Sequence, residues 1–332
     1  MKRRIFTLGI FMIITLCAVA QKKQKTQSVI FDSDMGPDYD DVGAIAMLHA
    51  FADSGYINIL ATMASTKYEG VAGVFNVLNT YFNRSWLPVG VPRKNGLDMR
   101  DRQHWSDTLL ANYPHSIKNN GEAMEATELY RKLLSNQPDK SVTIITVGFF
   151  TNLANLLQSG ADKYSNLNGK ELVRKKVKAL ISMAGRFSSG KEFNVEKDAA
   201  ASQVVFSQWP TQVLLSGFEI GMKIKVGLPL IKNEKISKSP VKDVFRISIP
   251  KSKEDSAGRM SWDETAVLIA AKGYEPYYTL KKGRMIVAKD GSNTWENQGG
   301  QHAYLIEKAP VDQVRNEIEQ LIQHQPVRGK KK

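Results

Sequence analysis

The sequence predicts an α/β fold, an open and mostly parallel sheet flanked by helices. Short apolar runs rich in branched residues alternate with longer amphipathic stretches, the order that parallel strands and their crossover helices require. A loop dense in aspartate follows the first such run, where open α/β sheets hold their ligands, outside the carboxyl ends of the strands. No internal repeat or long low-complexity linker interrupts this order.

Taken in chain order, the first segment is a leader. Lys2-Arg3-Arg4 precede an apolar run over 5–20 that closes on Ala18-Val19-Ala20, and polar Gln21-Lys22-Lys23-Gln24 follow. This is the pattern of a signal peptide, 1–20, cleaved after Ala20. The run is short of the roughly 20 apolar residues that a membrane span needs, so no stable membrane insertion is expected. An exported chain, periplasmic or secreted, is the expectation; Leu16 before Cys17 disfavours a lipoprotein. Candidate strands follow at 28–32, 57–64, 87–91, 142–147, 177–183 and 212–216. Candidate helices lie at 41–52, where Val42, Ile45, Leu48 and Ala52 recur at helical spacing, at 123–134 and at 199–206. The segment 232–255, rich in lysine and serine, reads as an inserted or mobile surface stretch. One domain over 26–325 accommodates all of these, with 326–332 as a basic tail.

Cys17 is the only cysteine and belongs to the leader, so the mature chain has no thiol for disulfides, metal ligation or nucleophilic catalysis. About 310 residues remain, enough for a single large core. Loss of Lys2, Arg3 and Arg4 lowers the formal charge from +13 to +10. The lysines are scattered and lack interleaved aromatics, so no nucleic-acid groove is expected.

The loop after the first strand carries Asp32, Asp34, Asp38, Asp40 and Asp41, five carboxylates within ten residues. Unneutralised they would repel one another and raise one another's pKa, which calls for a bound cation. With oxygen ligands only, a hard ion such as calcium or magnesium is indicated. One aspartate is accounted for as a helix cap near residue 41; five are not. Gly36 and Pro37 force a tight path that can turn carboxylates inward. The spacing lacks the glycine and glutamate of an EF-hand.

Asp32-Ser33-Asp34-Met35-Gly36, continuing to Asp40-Asp41-Val42-Gly43-Ala44, resembles the N-terminal signature of the nucleoside hydrolase family, Asp-x-Asp-Pro-Gly-x-Asp-Asp-Ala. Met35 replaces the proline, and two extra residues precede the final Asp-Asp pair. Later segments agree in order. Val142 to Ala154 is similar to the family's second strand-to-helix turn, Glu192-Phe193-Asn194 to its Glu-Phe-Asn segment, and Ser261-Trp262-Asp263-Glu264-Thr265-Ala266 to its late aspartate motif. The family's His-Gly segment has no counterpart in 94–119, and Ser188-Ser189-Gly190 stands where Gly-Asn is usual.

The resemblance implies the nucleoside hydrolase fold, a Rossmann-like sheet, and cleavage of a ribonucleoside into free base and ribose. It implies Ca2+ held by Asp34, Asp41, Asp263 and the Val147 carbonyl, with Asp34 as general base toward water. Glu192 and Asn194 would contact ribose hydroxyls, and a carboxylate with an amide suits a diol. The insertion leaves Asp38 and Asp40 competing for another ribose contact, Asp40 favoured for its adjacency to Asp41. Trp262 stands where many members carry a histidine and would stack on the base, as in the purine-preferring branch. His104 and His302 are candidates for the leaving-group acid by side-chain type alone. A homo-oligomer, dimer or tetramer, follows from the resemblance as well. Three alternatives remain open at this level: another riboside as substrate, a periplasmic protein that binds a nucleoside without cleaving it, and, more weakly, a phosphate-handling enzyme, for which no glycine-rich phosphate cradle is present.

Overall fold

The computed structural model describes residues 26–188 and 190–327. The leader assigned to 1–20 and the last five residues of the basic tail lie outside them. Strands in chain order are β1 (Gln27–Ser33), β2 (Ile57–Ala64), β3 (Val89–Val91), β4 (Met124–Glu125), β5 (Val142–Thr146), β6 (Val177–Met183), β7 (Gln212–Ser216), β8 (Lys225–Val226), β9 (Arg259–Met260), β10 (Tyr278–Val287), β11 (Asn293–Glu296) and β12 (His302–Glu307). Ten form one sheet in the order β11-β10-β12-β7-β6-β5-β1-β2-β3-β4, and β8 pairs with β9 separately. Pairings from β12 across to β4 are parallel, while β10 runs antiparallel to both β11 and β12. The order reverses between β5 and β1, which opens a crevice at their carboxyl ends.

Two apolar layers fill the faces of this sheet. One packs the helix Asp40–Asp53 and the helix Trp262–Lys272 against each other and the sheet; the other packs the helices at 126–135, 151–158 and 199–208 against the opposite face. In the helix Asp40–Asp53 every residue from Asp40 to Phe51 is buried, so the spacing of Val42, Ile45 and Leu48 marks one side of a helix covered on all sides.

β2, β6 and β7 keep the bounds expected from their apolar runs. β5 stops at Thr146; the Val147 N–H still donates to the Asp32 carbonyl at 2.8 Å, while its own carbonyl turns to Asn194. The helix expected from 123 starts at Ala126, because Met124 and Glu125 pair as β4 and the Glu125 carboxylate caps the helix through Glu128 N–H at 2.9 Å. β10 to β12 were not anticipated as strands. β10 carries Lys281-Lys282-Gly283-Arg284 mid-strand, which interrupts the apolar run by which a strand in the body of a sheet is recognised.

The segment 232–255 differs from expectation. It is not peripheral: Ser239 caps a helix, Pro240–Ser248, whose Val241, Val244 and Phe245 are buried in the core. Phe245 meets Tyr39 of the aspartate loop edge to face at 5.3 Å between centroids. Most of the segment's lysines lie on the outer side, and they masked the apolar stripe of an amphipathic element.

Candidate active site

The crevice at the β5–β1 switch is a cleft of about 230 Å³ lined from five parts of the chain. The loop after β1 and the first residue of the helix it leads into deliver Asp34, Asp38 and Asp40; the residue after β5 is Val147; β6 and the turn after it deliver Met183, Glu192, Phe193 and Asn194. Phe218 comes from the end of β7, and Arg259, Trp262 and Asp263 from β9 and the helix after it. Eight of the nine sequence-derived site residues therefore face one space. Asp41, the ninth, is buried directly behind it: its Oδ1 accepts from Ser33 Oγ at 2.5 Å and Met35 N–H at 3.2 Å, and its Oδ2 has no hydrogen-bond partner.

The loop owes its path to Met35, whose φ of 41° is left-handed and whose side chain is buried. Its N–H faces Ser33 Oγ and Asp41, and its carbonyl accepts from Tyr68 OH at 2.9 Å. Gly148 closes the other side. A Cβ there would collide with the Asp34 amide and Ser65 Oγ, so only glycine lets the β1 and β5 loops approach.

Asp40 is heavily engaged. Its Oδ1 takes both Nε and Nη2 of Arg259, at 3.0 and 2.6 Å, and its Oδ2 takes the N–H groups of Trp262 and Asp263, at 3.1 and 3.2 Å. It thus caps the helix Trp262–Lys272 from another element, where an anion is favoured by the free amides and the helix dipole. Burial raises its carboxyl to about 7, with Arg259 opposing. Asp38, the more exposed of the two competing aspartates, lies 2.5 Å from Arg259 Nη2.

Glu192 also spends its carboxylate on backbone, capping the helix Phe193–Lys197 through Asn194 and Val195 N–H and accepting from Gly185. Burial pushes it to about 7 despite these bonds. Asn194 donates to the Val147 carbonyl at 3.0 Å and so fixes its direction. Trp262 is clamped: its Nε1–H donates to the Phe218 carbonyl at 2.9 Å, the Phe218 ring stacks on it at 5.3 Å, and the Arg259 guanidinium lies 5.1 Å from its centroid. Phe193, Phe218 and Trp262 are the aromatic residues that line the cleft.

Burial and mutual repulsion dominate the electrostatics. Asp34 is raised well above its ordinary value, by burial first and then by Asp41 and Asp38; Asp263 is raised by burial and by all four aspartates of the loop from Asp34 on. One oxygen each from Asp38, Asp40 and Asp263 lie within 4.8 Å of one another. Of the expected ligands Asp34, Asp41, Val147 and Asp263, only Asp263 belongs to this group; the group's donors are all oxygen and strongly anionic, a set that fits a hard divalent cation.

Neither histidine belongs to the cleft. His104 is exposed and pairs with Asp107, and His302 is buried at the opposite end of the sheet, where its Nδ1 accepts from Met285 N–H. Side-chain type placed them on the list and topology removes them. Arg259 and Phe218 were missed. Phe218 follows β7 where strand-end reasoning would have found it; Arg259 is one basic residue among 46 and has no spacing signal.

Residues 29–316 match the family model of the inosine-uridine preferring nucleoside hydrolases. The chain is 26% identical over 239 residues to the pyrimidine-specific ribonucleoside hydrolase RihA of Shewanella sp. (strain ANA-3), a match spanning 69% of this chain and 67% of that one. Among solved structures it resembles the purine-preferring ribonucleoside hydrolase from Gardnerella vaginalis (TM-score 0.70, 15% identity, 90% of this chain and 98% of that one). It also resembles the inosine-uridine preferring nucleoside hydrolase from Bacillus anthracis (TM-score 0.67, 14% identity, 90% and 99%). With the family model spanning nearly the whole described domain, the chain belongs to the inosine-uridine preferring nucleoside hydrolases, a family of N-glycosyl hydrolases.

Proposed function

We propose that this chain is a calcium-dependent ribonucleoside hydrolase that releases free base and ribose. The observation that carries the reading is the convergence of Asp34, Val147, Asn194 and Asp263, from four separate elements, on one cleft at the sheet's switch point. Asp34, Asp41, Asp263 and the Val147 carbonyl are the residues that would hold the ion, which when bound lowers the pKa of the hydrolytic water. Asp34 accepts the proton of that water as it attacks the anomeric carbon and the C–N bond breaks. Asn194, Glu192 and one of Asp38 and Asp40 orient the ribose hydroxyls, and the wall of Phe193, Phe218 and Trp262 holds the base by its face.

Asp34→Asn tests the assignment. Hydrolysis of inosine and uridine should fall by roughly 10²–10⁴-fold, the usual range for loss of a general base. Unchanged turnover would remove Asp34 from the mechanism, and unchanged turnover after exhaustive chelation would remove the cation. A wild-type protein that retains intact nucleoside through purification would instead point to a binding protein.

The aromatic wall supports a purine preference. The pyrimidine-specific names of the Shewanella relatives support the opposite one. Turnover of inosine, guanosine and adenosine set against uridine and cytidine separates the two. Export rests on the leader, and assembly into a dimer or tetramer on the family resemblance; fractionation of the source cells and sedimentation in solution test them.

A further inference from the structure

Two aspartates compete for the sugar, and their surroundings differ. Asp40 has both oxygens filled: Arg259 donates twice to Oδ1, at 3.0 and 2.6 Å, and the Trp262 and Asp263 N–H groups donate to Oδ2, at 3.1 and 3.2 Å. A carboxylate offers about four acceptor positions, so Asp40 has none left for a hydroxyl. Freeing one would uncap the helix Trp262–Lys272 or strip a buried guanidinium of its counter-charge, and each is destabilising. The Asp40 side chain is accordingly closed in, with 1% of its surface exposed.

Asp38 differs on each count. Its side chain is 43% exposed, it lines the same cleft, and Arg259 is its one ionic partner among the described residues, through Oδ2 at 2.5 Å. It is also held in place. Tyr39, the next residue, is buried, with its ring edge to face on Phe245 and its OH on Asp255, so the chain beside Asp38 is anchored in the core. Pro37, the residue before, has its own φ fixed by its ring. Arg259 thus saturates Asp40 and positions Asp38. We propose that Asp38, an aspartate of the lengthened loop, is the specificity-determining carboxylate that accepts a hydrogen bond from a ribose hydroxyl, while Asp40 belongs to the frame and does not touch the sugar. This role rests on the reading of the cleft as a ribonucleoside site. It reverses the placement that adjacency to Asp41 suggests, and it makes discrimination of ribose from deoxyribose depend on a residue outside the Asp-Asp pair.

Calorimetric titration with calcium present separates the two aspartates without requiring turnover. The ligands are a carbon-linked isostere of inosine, which cannot be hydrolysed, and its 2′-deoxy and 3′-deoxy forms. Loss of a hydrogen bond from a hydroxyl to a charged acceptor weakens binding by about 10–100-fold, so Asp38→Ala should lose that factor toward the full riboside. Toward the deoxy form that lacks the hydroxyl read by Asp38, the variant should bind as wild type does, because the partner is already gone. Asp40→Asn should melt at lower temperature and keep the wild-type ratios among the three ligands. Equal affinity of wild type and Asp38→Ala for the full riboside would overturn the proposal, and so would ratios that collapse in Asp40→Asn. Loss of calcium binding by Asp38→Ala, titrated without nucleoside, would overturn it too, by placing Asp38 in the ion's shell. Hydrolysis of inosine by wild type is scored separately: its absence would refute the hydrolase reading, while the three-ligand comparison still decides on Asp38. Wild type that binds none of the three would overturn both.

Discussion

At the scale of single residues, Arg259 decides whether the acidic cleft can fold. Its guanidinium lies between the rings of Tyr39 and Trp262, 4.8 and 5.1 Å from their centroids, and reaches Asp38, Asp40 and Asp255 at once. Burial works against its charge, but Asp38 and Asp40 and then Asp255 outweigh that and hold it protonated. Asp255 in turn accepts from Tyr39 OH at 2.7 Å, so the arginine ties the inserted part of the aspartate loop to the segment before β9. Arg259→Met keeps the apolar stem and strands the buried Asp40 and Asp255 without their cation. Breaking a buried pair from one side costs about 3–5 kcal/mol, and urea denaturation in chelator should show a loss of that order. A loss below about 1 kcal/mol would mean that the carboxylates relax to solvent or protonate without strain. Arg259→Lys, which keeps the charge but loses the fork, should fall between the two.

At the scale of elements, the site depends on two strand-end loops that approach more closely than a side chain permits. Gly148 lies against the Asp34 amide and Ser65 Oγ, and the obstruction to a Cβ is backbone that cannot rotate away. Gly148→Ala is therefore expected to separate the β1 and β5 loops, at an overpacking cost of about 1–3 kcal/mol. Nucleoside turnover and cation affinity, read by calorimetric titration, should fall together, because Asp34 and the Val147 carbonyl no longer share one centre. Wild-type affinity in this variant would show that the two loops move independently. The same contrast explains what was legible beforehand. The aspartate loop, Val147, the Glu192–Asn194 turn and Asp263 each follow a strand or open a helix, and those positions are written locally in apolar runs and breakers. Asp40 capping a helix that begins more than two hundred residues later and Phe245 seated on Tyr39 are defined by distant partners, so local pattern does not contain them. β11 escaped because an edge strand needs no apolar run, only a neighbour with which to pair, and β10 because Lys281-Lys282-Gly283-Arg284 interrupt its own; β12 does carry an apolar run, Ala303 to Ile306, and was overlooked.

At the scale of the whole molecule, the fold carries more buried acid than a protein without a cation can comfortably ionise. Asp32 beneath the loop and Glu192 beside it are pushed by burial from 3.8 and 4.5 to about 7, and Asp34, Asp263 and Glu264 are raised further by burial and by neighbouring aspartates. Buried histidines oppose them at low pH. His49 is lowered to about 3 and His302 to about 4, so each adds stability as pH rises toward its unfolded value of about 6.5 and nothing beyond it. Above about pH 6.5 only the carboxylates remain. There the folded state still holds protons that the unfolded chain has released, so stability must fall as pH rises through the folded pKa values. The cation-free protein is accordingly expected to melt at progressively lower temperature from about pH 6.5 to 9. On the proposed calcium dependence, saturating calcium would bind the ionised carboxylates of the folded state only, and should flatten or reverse that slope. Thermal scans across this interval, in chelator and in calcium, measure both limbs. A melting temperature that rises with pH in chelator would show that the acidic cluster ionises freely in the folded protein, and that neither burial nor mutual repulsion governs it.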